Sequence, residues 1–149
     1  MTNSKSFSFE FFPPQTQEGA NKLASARRQL AVLKPAFFSV TFGAGGSTRE
    51  RTLEAVQQIK ADGYEAAPHL SCVGSTRENI RTILHTYKNM GIKRIVALRG
   101  DLPSGMATSG EFHYANELVS FIRAETGEHF HIEVAAYPEF HPQAKSPRD

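Results

Sequence analysis

The sequence contains one cysteine, Cys72, and no tryptophan. A lone cysteine excludes an intrachain disulfide, so this is not a disulfide-stapled secreted scaffold. Charge of one sign is equally scarce: 17 lysines and arginines against 15 aspartates and glutamates leave a formal balance of +2. No run of five or more like charges occurs. That lean is too slight for a nucleic-acid groove, although it suits a pocket that receives phosphates. Long apolar runs are missing too. No stretch approaches the ~18 apolar residues of a membrane span, and Met1 to Ser8 is polar where a secretory leader would be apolar. The expectation is a cytoplasmic protein with neither a membrane nor a nucleic-acid partner. Without linker or low-complexity segment, residues 1–149 read as a single domain long enough to bury a core.

What the sequence does have is alternation. Short apolar runs at Phe7–Phe12, Phe37–Phe42, Glu65–Cys72, Arg94–Arg99 and His131–Tyr137 read as five strands. Between them, apolar residues recur at helical spacing: Leu23, Ala26, Leu30, Leu33; Leu53, Val56, Ile59; Ile80, Ile83, Leu84, Tyr87, Met90; and Tyr114, Leu118, Phe121, Ile122. Ser47 with Glu50, Ser75 with Glu78 and Thr108 with Glu111 have the spacing of capping boxes at three helix starts. Gly63 and Gly91 stand where the second and third helices should stop. Runs such as Ile95-Val96-Ala97-Leu98, apolar on both faces, fit parallel strands joined by right-handed helical crossovers. Two architectures accommodate this. A flavodoxin-like open sheet matches the strand count better, because a complete (β/α)8 barrel takes about 250 residues.

In either architecture, ligands bind at the carboxyl ends of the strands. Those ends offer Glu10; Thr41 with Gly43-Ala44-Gly45-Gly46; His69; Arg99-Gly100-Asp101; and Tyr137-Pro138-Glu139 with His141. Alternation puts Phe7, Phe9 and Phe11 on one face of the first strand and Ser8, Glu10 and Phe12 on the other. A carboxylate flanked by Phe9, Phe11 and Phe12 is expected to be poorly solvated, which raises its pKa towards that of a general acid. The bland alternative is a solvated rim carboxylate, or one paired with Arg99. The glycine-rich segment precedes a helix, where bare amides favour anions, but a glycine turn there is commonplace. His69 fits a hydrogen-bonded core residue. His129 and His131 are too few for a metal site and fit surface histidines. Arg99-Gly100-Asp101 spells an adhesion tripeptide, but at a strand end an Arg–Asp brace is the fairer reading. Cys72 reads as a small buried hydrophobe.

Five blocks also carry a resemblance. Ser8-Phe9-Glu10-Phe11-Phe12-Pro13-Pro14, Ser39-Val40-Thr41-Phe42-Gly43-Ala44, Ala66-Ala67-Pro68-His69-Leu70-Ser71-Cys72, Ile95-Val96-Ala97-Leu98-Arg99-Gly100-Asp101-Leu102-Pro103 and Ala135-Ala136-Tyr137-Pro138-Glu139-Phe140-His141-Pro142 occur in this order. Together they resemble the methylenetetrahydrofolate reductase family. The resemblance implies an α/β fold, a parallel (β/α)8 TIM-type barrel of which this chain covers about five strands and four helices. It implies non-covalent FAD, reduced by NADH or NADPH, and a folate substrate, 5,10-methylenetetrahydrofolate, reduced to 5-methyltetrahydrofolate. Glu10 falls on the acid that protonates the folate amine, and Asp101 on the aspartate whose charge favours the resulting cation. Thr41, Phe42, Ala44, His69, Arg99, Gly100, Asp101, Tyr114, Ala115, Tyr137, His141 and Ala144 fall on flavin-pocket positions. About three further βα units complete the family barrel. If Val40, Leu70 and Ala97 lined an unclosed barrel, the exposed apolar face and free edges would drive association, so a homo-oligomer is expected.

Overall fold

The computed structural model describes residues 5–42, 46–101, 110–137, 139–141 and 144–146; side chains of residues 46–48 lie outside it. Strands β1 (Ser8–Phe11), β2 (Phe37–Val40), β3 (Ala66–Ser71), β4 (Arg94–Leu98) and β5 (His131–Val134) alternate with four helices. The helices are α1 (Gln17–Ala31), α2 (Gly46–Ala61), α3 (Arg77–Asn89) and α4 (Ala115–Thr126). Each observed strand lies within the apolar run that announced it.

All neighbouring strands are parallel, and their spatial order is β1-β2-β3-β4-β5. That order decides between the two architectures. A flavodoxin-like sheet runs 2-1-3-4-5 and reverses direction after its first crossover. Here each crossover advances one strand in the same sense, as in successive staves of a βα barrel. With right-handed crossovers, the helices then share one face of the sheet.

That shared face is the core. Phe38, Val40, Leu70, Ile95 and Ala97 from the strands pack with Val56 and Ile59 of α2, Ile83 and Leu84 of α3, and Leu118 and Ile122 of α4. Phe9 and Phe11 stack on Phe38 with ring centroids 6.2 and 5.5 Å apart, which accounts for the phenylalanine-rich first strand. Each large side chain buried this way contributes roughly 1.5–3 kcal/mol. Cys72 is fully buried, and burial pushes its thiol up from the ordinary range.

The opposite face corrects an expectation. Val40, Leu70 and Ala97 point into the helix layer and are fully buried. By the strand register, the other face carries Glu10 and Ser39, Ala67 and His69, Ser71 and Leu98, and Arg94, Val96, His131 and Glu133. This face is largely polar, so it is not the apolar surface that would compel association. At its amino-terminal end, the Arg94 guanidinium donates to Glu65 at 2.9 Å, pairs with Glu133 and lies 4.7 Å over the Phe37 ring. The cluster links four strands or their approaches at that end. The edges remain: β1 pairs only with β2, and β5 only with β4, among the described residues.

Helix starts follow side chains other than those the spacing suggested. The α3 cap is Thr76, whose hydroxyl accepts from the Asn79 N–H at 3.2 Å, one residue later than Ser75. Glu111 accepts from the Arg77 N–H at 2.6 Å, so it closes α3 from a distant loop instead of opening its own helix. The α4 start comes later than Thr108, which lies outside the described residues. There Glu117 accepts from the N–H groups of His113 at 2.6 Å and Tyr114 at 3.4 Å. Ser47 also lies outside the described side chains. Gly63 and Gly91 follow α2 and α3 with φ of 87° and 69°, as their stop positions required.

Arg27, on α1, is 2% exposed and pairs with Asp62, just past the end of α2. A carboxylate at a helix carboxyl end is badly placed for the macrodipole, and the guanidinium offsets this. Hydrogen bonding to Arg27 holds the Asp62 carboxyl below its ordinary range. Such a group stabilises the fold above its unfolded pKa, about 4, and the contribution disappears as pH falls through the lower folded value. Asp62→Asn should therefore lower the urea midpoint at pH 7 and leave it nearly unchanged at the acid end, where wild type has lost the same contribution. A constant difference across the titration would show that the carboxylate's charge is not what matters.

No helix among the described residues is long and apolar enough to cross a membrane.

Candidate functional site

The carboxyl end of β4 is pinned by an overloaded carbonyl. The Arg99 carbonyl oxygen accepts from the Val73 N–H at 2.8 Å and the Ser71 hydroxyl at 3.0 Å, with the Cys72 thiol at 3.7 Å. These bonds extend the β3–β4 pairing past the strands and fix where the Arg99 side chain leaves the backbone. Its guanidinium is half-buried and donates through Nε to the Gly100 carbonyl at 3.1 Å. Asp101 is exposed beyond it. Gly100 has φ of 83°, and a Cβ there would lie 1.8 Å from Ser71 Oγ and 2.9 Å from Val73 Cγ1. Sequence reasoning placed this glycine between the two members of an Arg–Asp brace; its close approach to β3 was not visible from spacing.

A cavity of about 550 Å³ opens at this point, between the ends of β4 and β5 and the start of α4. Arg99, Gly100, Asp101, Tyr114, Ala115, Tyr137, His141 and Ala144 line it, eight of the twelve positions grouped by the resemblance. Ala97, Leu98, Val134 and Ala135 complete the wall and were not singled out. Their signal was available: they are the last strand residues before the polar ends, and alanines there leave room. Tyr137 and His141 meet edge to face with centroids 4.6 Å apart, and the Ala144 N–H donates to the His141 carbonyl at 2.9 Å. The amino terminus of α4 gives this end of the cavity a positive dipole end, beside the Arg99 cation.

Of the remaining four positions, the three described do not line this cavity. Thr41 and Phe42 are half-buried after β2, where the Thr41 carbonyl accepts from the Thr52 hydroxyl at 2.9 Å. His69 is on β3. Ala44 lies outside the described residues, as do Gly43 and Gly45 of the glycine-rich segment.

Glu10 departs from expectation in two respects. Its aromatic neighbours Phe9 and Phe11 face the helices, so its side chain is 56% exposed instead of desolvated. Its partner is His69, with Nε2 3.3 Å from Oε2, and not Arg99. His69 is 6% exposed, and its Nε2 is buried without an aligned hydrogen bond. Burial pushes the imidazole below its ordinary range, while the Glu10 charge pulls it up.

His129 and His131 make local contacts. His129 lies 3.1 Å from the Ile92 carbonyl through Nε2 and 3.4 Å from Lys93 Nζ through Nδ1; His131 sits 3.2 Å from Glu133. Among the described residues, no group of three or more metal-ligating side chains is assembled.

A family model described as methylenetetrahydrofolate reductase matches residues 1–149. The chain is similar to the 5,10-methylenetetrahydrofolate reductase of Salmonella typhimurium, at 51% identity over 141 residues, covering 93% of this chain and 46% of that protein. It is 43% identical over 145 residues to the reductase of the same description from Buchnera aphidicola, covering 97% and 48%. A maize protein named methylenetetrahydrofolate reductase (NADH) 1 is 42% identical over 143 residues, covering 93% and 24%. The chain thus spans about half the length of its bacterial relatives.

Proposed function

Because the chain belongs to the methylenetetrahydrofolate reductase family, we propose that it provides the flavin-holding half of an enzyme that reduces 5,10-methylenetetrahydrofolate to 5-methyltetrahydrofolate. The observation that carries this is the cavity at the ends of β4 and β5, where eight positions matched to the family's flavin pocket converge. FAD, when bound, would supply the hydride carrier between NADH or NADPH and the folate.

The residues fit such a group. A volume of about 550 Å³ lies in the range of cofactor sites, ~300–1,000 Å³. Arg99 and the first turn of α4 suit phosphate or ribityl oxygens, and Tyr114 and Tyr137, both more than half exposed, offer ring faces. Glu10 holds a proton at its carboxyl for the folate amine, whose protonation opens the ring to a cation. Asp101, at the cavity mouth, supplies negative charge that favours this cation. By the family match, Thr41 would lie near the nicotinamide when that donor binds. The setting is one-carbon metabolism in the cytoplasm, and self-association through the open edges of β1 and β5 is part of the proposal.

Sedimentation scanned at the flavin's visible band, followed by denaturation and chromatography, tests this. Coloured protein should sediment as an assembly larger than the 16.5 kDa chain, and denaturation should release FAD. Recovery of FMN, or of flavin still attached to protein, would overturn the cofactor assignment.

A further inference from the structure

The pairing of Glu10 with His69 belongs to no part of the cavity described above. The two residues come from strands separated by β2. Glu10 is level with Ser39 and Ala67 in the register, and His69 lies two residues further along β3. The Glu10 side chain therefore leans across β2, towards the carboxyl end of the sheet, to bring Oε2 within 3.3 Å of Nε2. One partner is packed and the other is not: the His69 side chain is 7% exposed, and that of Glu10 56%. A fixed imidazole can thus place a mobile carboxyl, but not the reverse.

Resting on the assignment of Glu10 as the acid, we infer that His69 is its positioning residue: the buried Nε2–H engages Oε2 and leaves Oε1 as the oxygen that presents the proton to substrate. Nε2 has no aligned partner among the described residues, so its hydrogen-bonding capacity is available for this contact. A small rotation of the exposed carboxyl aligns it, in keeping with catalytic hydrogen bonds that tighten only when substrate is bound. The same bond serves before and after proton transfer, since only Oε1 changes state. Of the groups facing the ring, β2 presents Ser39 and β4 presents Val96 and Leu98, none of them charged. Glu10 is the charged group among the described residues that bears on it.

The coupling is read without turnover from the His69 ring proton by NMR in this chain. The Glu10 charge supports the imidazolium, so Glu10→Gln should move the His69 titration to lower pH; an unchanged midpoint overturns the inference. In the complete FAD-loaded polypeptide, His69→Leu should slow the folate half-reaction about 10- to 100-fold, the cost of a misplaced reacting group. Because His69 also falls on a flavin-pocket position, the folate rate is read at saturating FAD and as a ratio to reduction by NAD(P)H. His69→Gln, which keeps an N–H donor, should recover most of the rate, and His69→Leu should add nothing to Glu10→Gln. Additive losses, or an equal fall in reduction by NAD(P)H at saturating FAD, sink the positioning role while leaving the acid in place. Equal loss in both half-reactions from Glu10→Gln alone removes the acid assignment, and the inference with it.

Discussion

Glu10→Gln in the complete enzyme should leave reduction by NAD(P)H nearly intact and slow methylenetetrahydrofolate reduction by roughly 10²–10⁴-fold, the usual contribution of general acid catalysis. The two half-reactions separate because only one of them needs a proton at a leaving amine. Glutamine preserves the shape of the side chain and its reach across β2 to His69, but its amide has no acidic proton to give. Glu10 takes no part in the core, where Phe9 and Phe11 of the same strand do the packing. The variant should therefore fold as wild type does. Stopped-flow traces for each half-reaction decide the matter, and equal loss in both would make Glu10 a structural residue.

Gly100→Ala should cost about 2–5 kcal/mol of folding stability. Two effects combine. A φ of 83° is left-handed backbone, which costs an L side chain roughly 1–2 kcal/mol. The new Cβ would also lie 1.8 Å from Ser71 Oγ and 3.1 Å from Ser71 Cβ. Rotating the hydroxyl away breaks its bond to the Arg99 carbonyl and still leaves the Cβ contact, so overpacking adds about 1–3 kcal/mol. Gly63→Ala isolates the first effect, because φ there is 87° and no atom lies within 4 Å of the added Cβ. Urea unfolding of the two variants should show Gly100→Ala clearly the worse. Equal losses would mean that the β4 end yields without cost.

The strands and helices were legible because each βα unit writes its own period: apolar runs at Phe37 or Ile95, then helical spacing at Ile80, Ile83 and Leu84. Strand order was not legible from that pattern, since an open sheet and a barrel share it; the resemblance of the five blocks favoured the barrel, and the order bears it out. The strand-end rule picked out Arg99, Tyr137 and His141, which the structure brings together around one cavity, as it depends only on where each strand stops. Glu10 shows the limit. Its aromatic neighbours suggested desolvation, but alternation sends those rings to the other side of the sheet. Its pairing with His69 depends on the register between β1, β2 and β3, which no local pattern encodes. The α3 cap failed for a similar reason. Glu111 is 34 residues from Arg77, too far for a rule that looks three residues ahead.

The spatial order of the strands has a consequence for how the chain assembles. Because β1 to β5 lie side by side in the order in which they are synthesised, each new strand finds its partner already in place on the growing edge. A flavodoxin-like order would instead send the third strand back past the first to the opposite edge of the sheet. Loop closure in each step spans a single helix, which keeps the entropic cost of pairing low and the contacts local. A nascent chain can thus build this sheet vectorially, unit by unit, at the pace of translation.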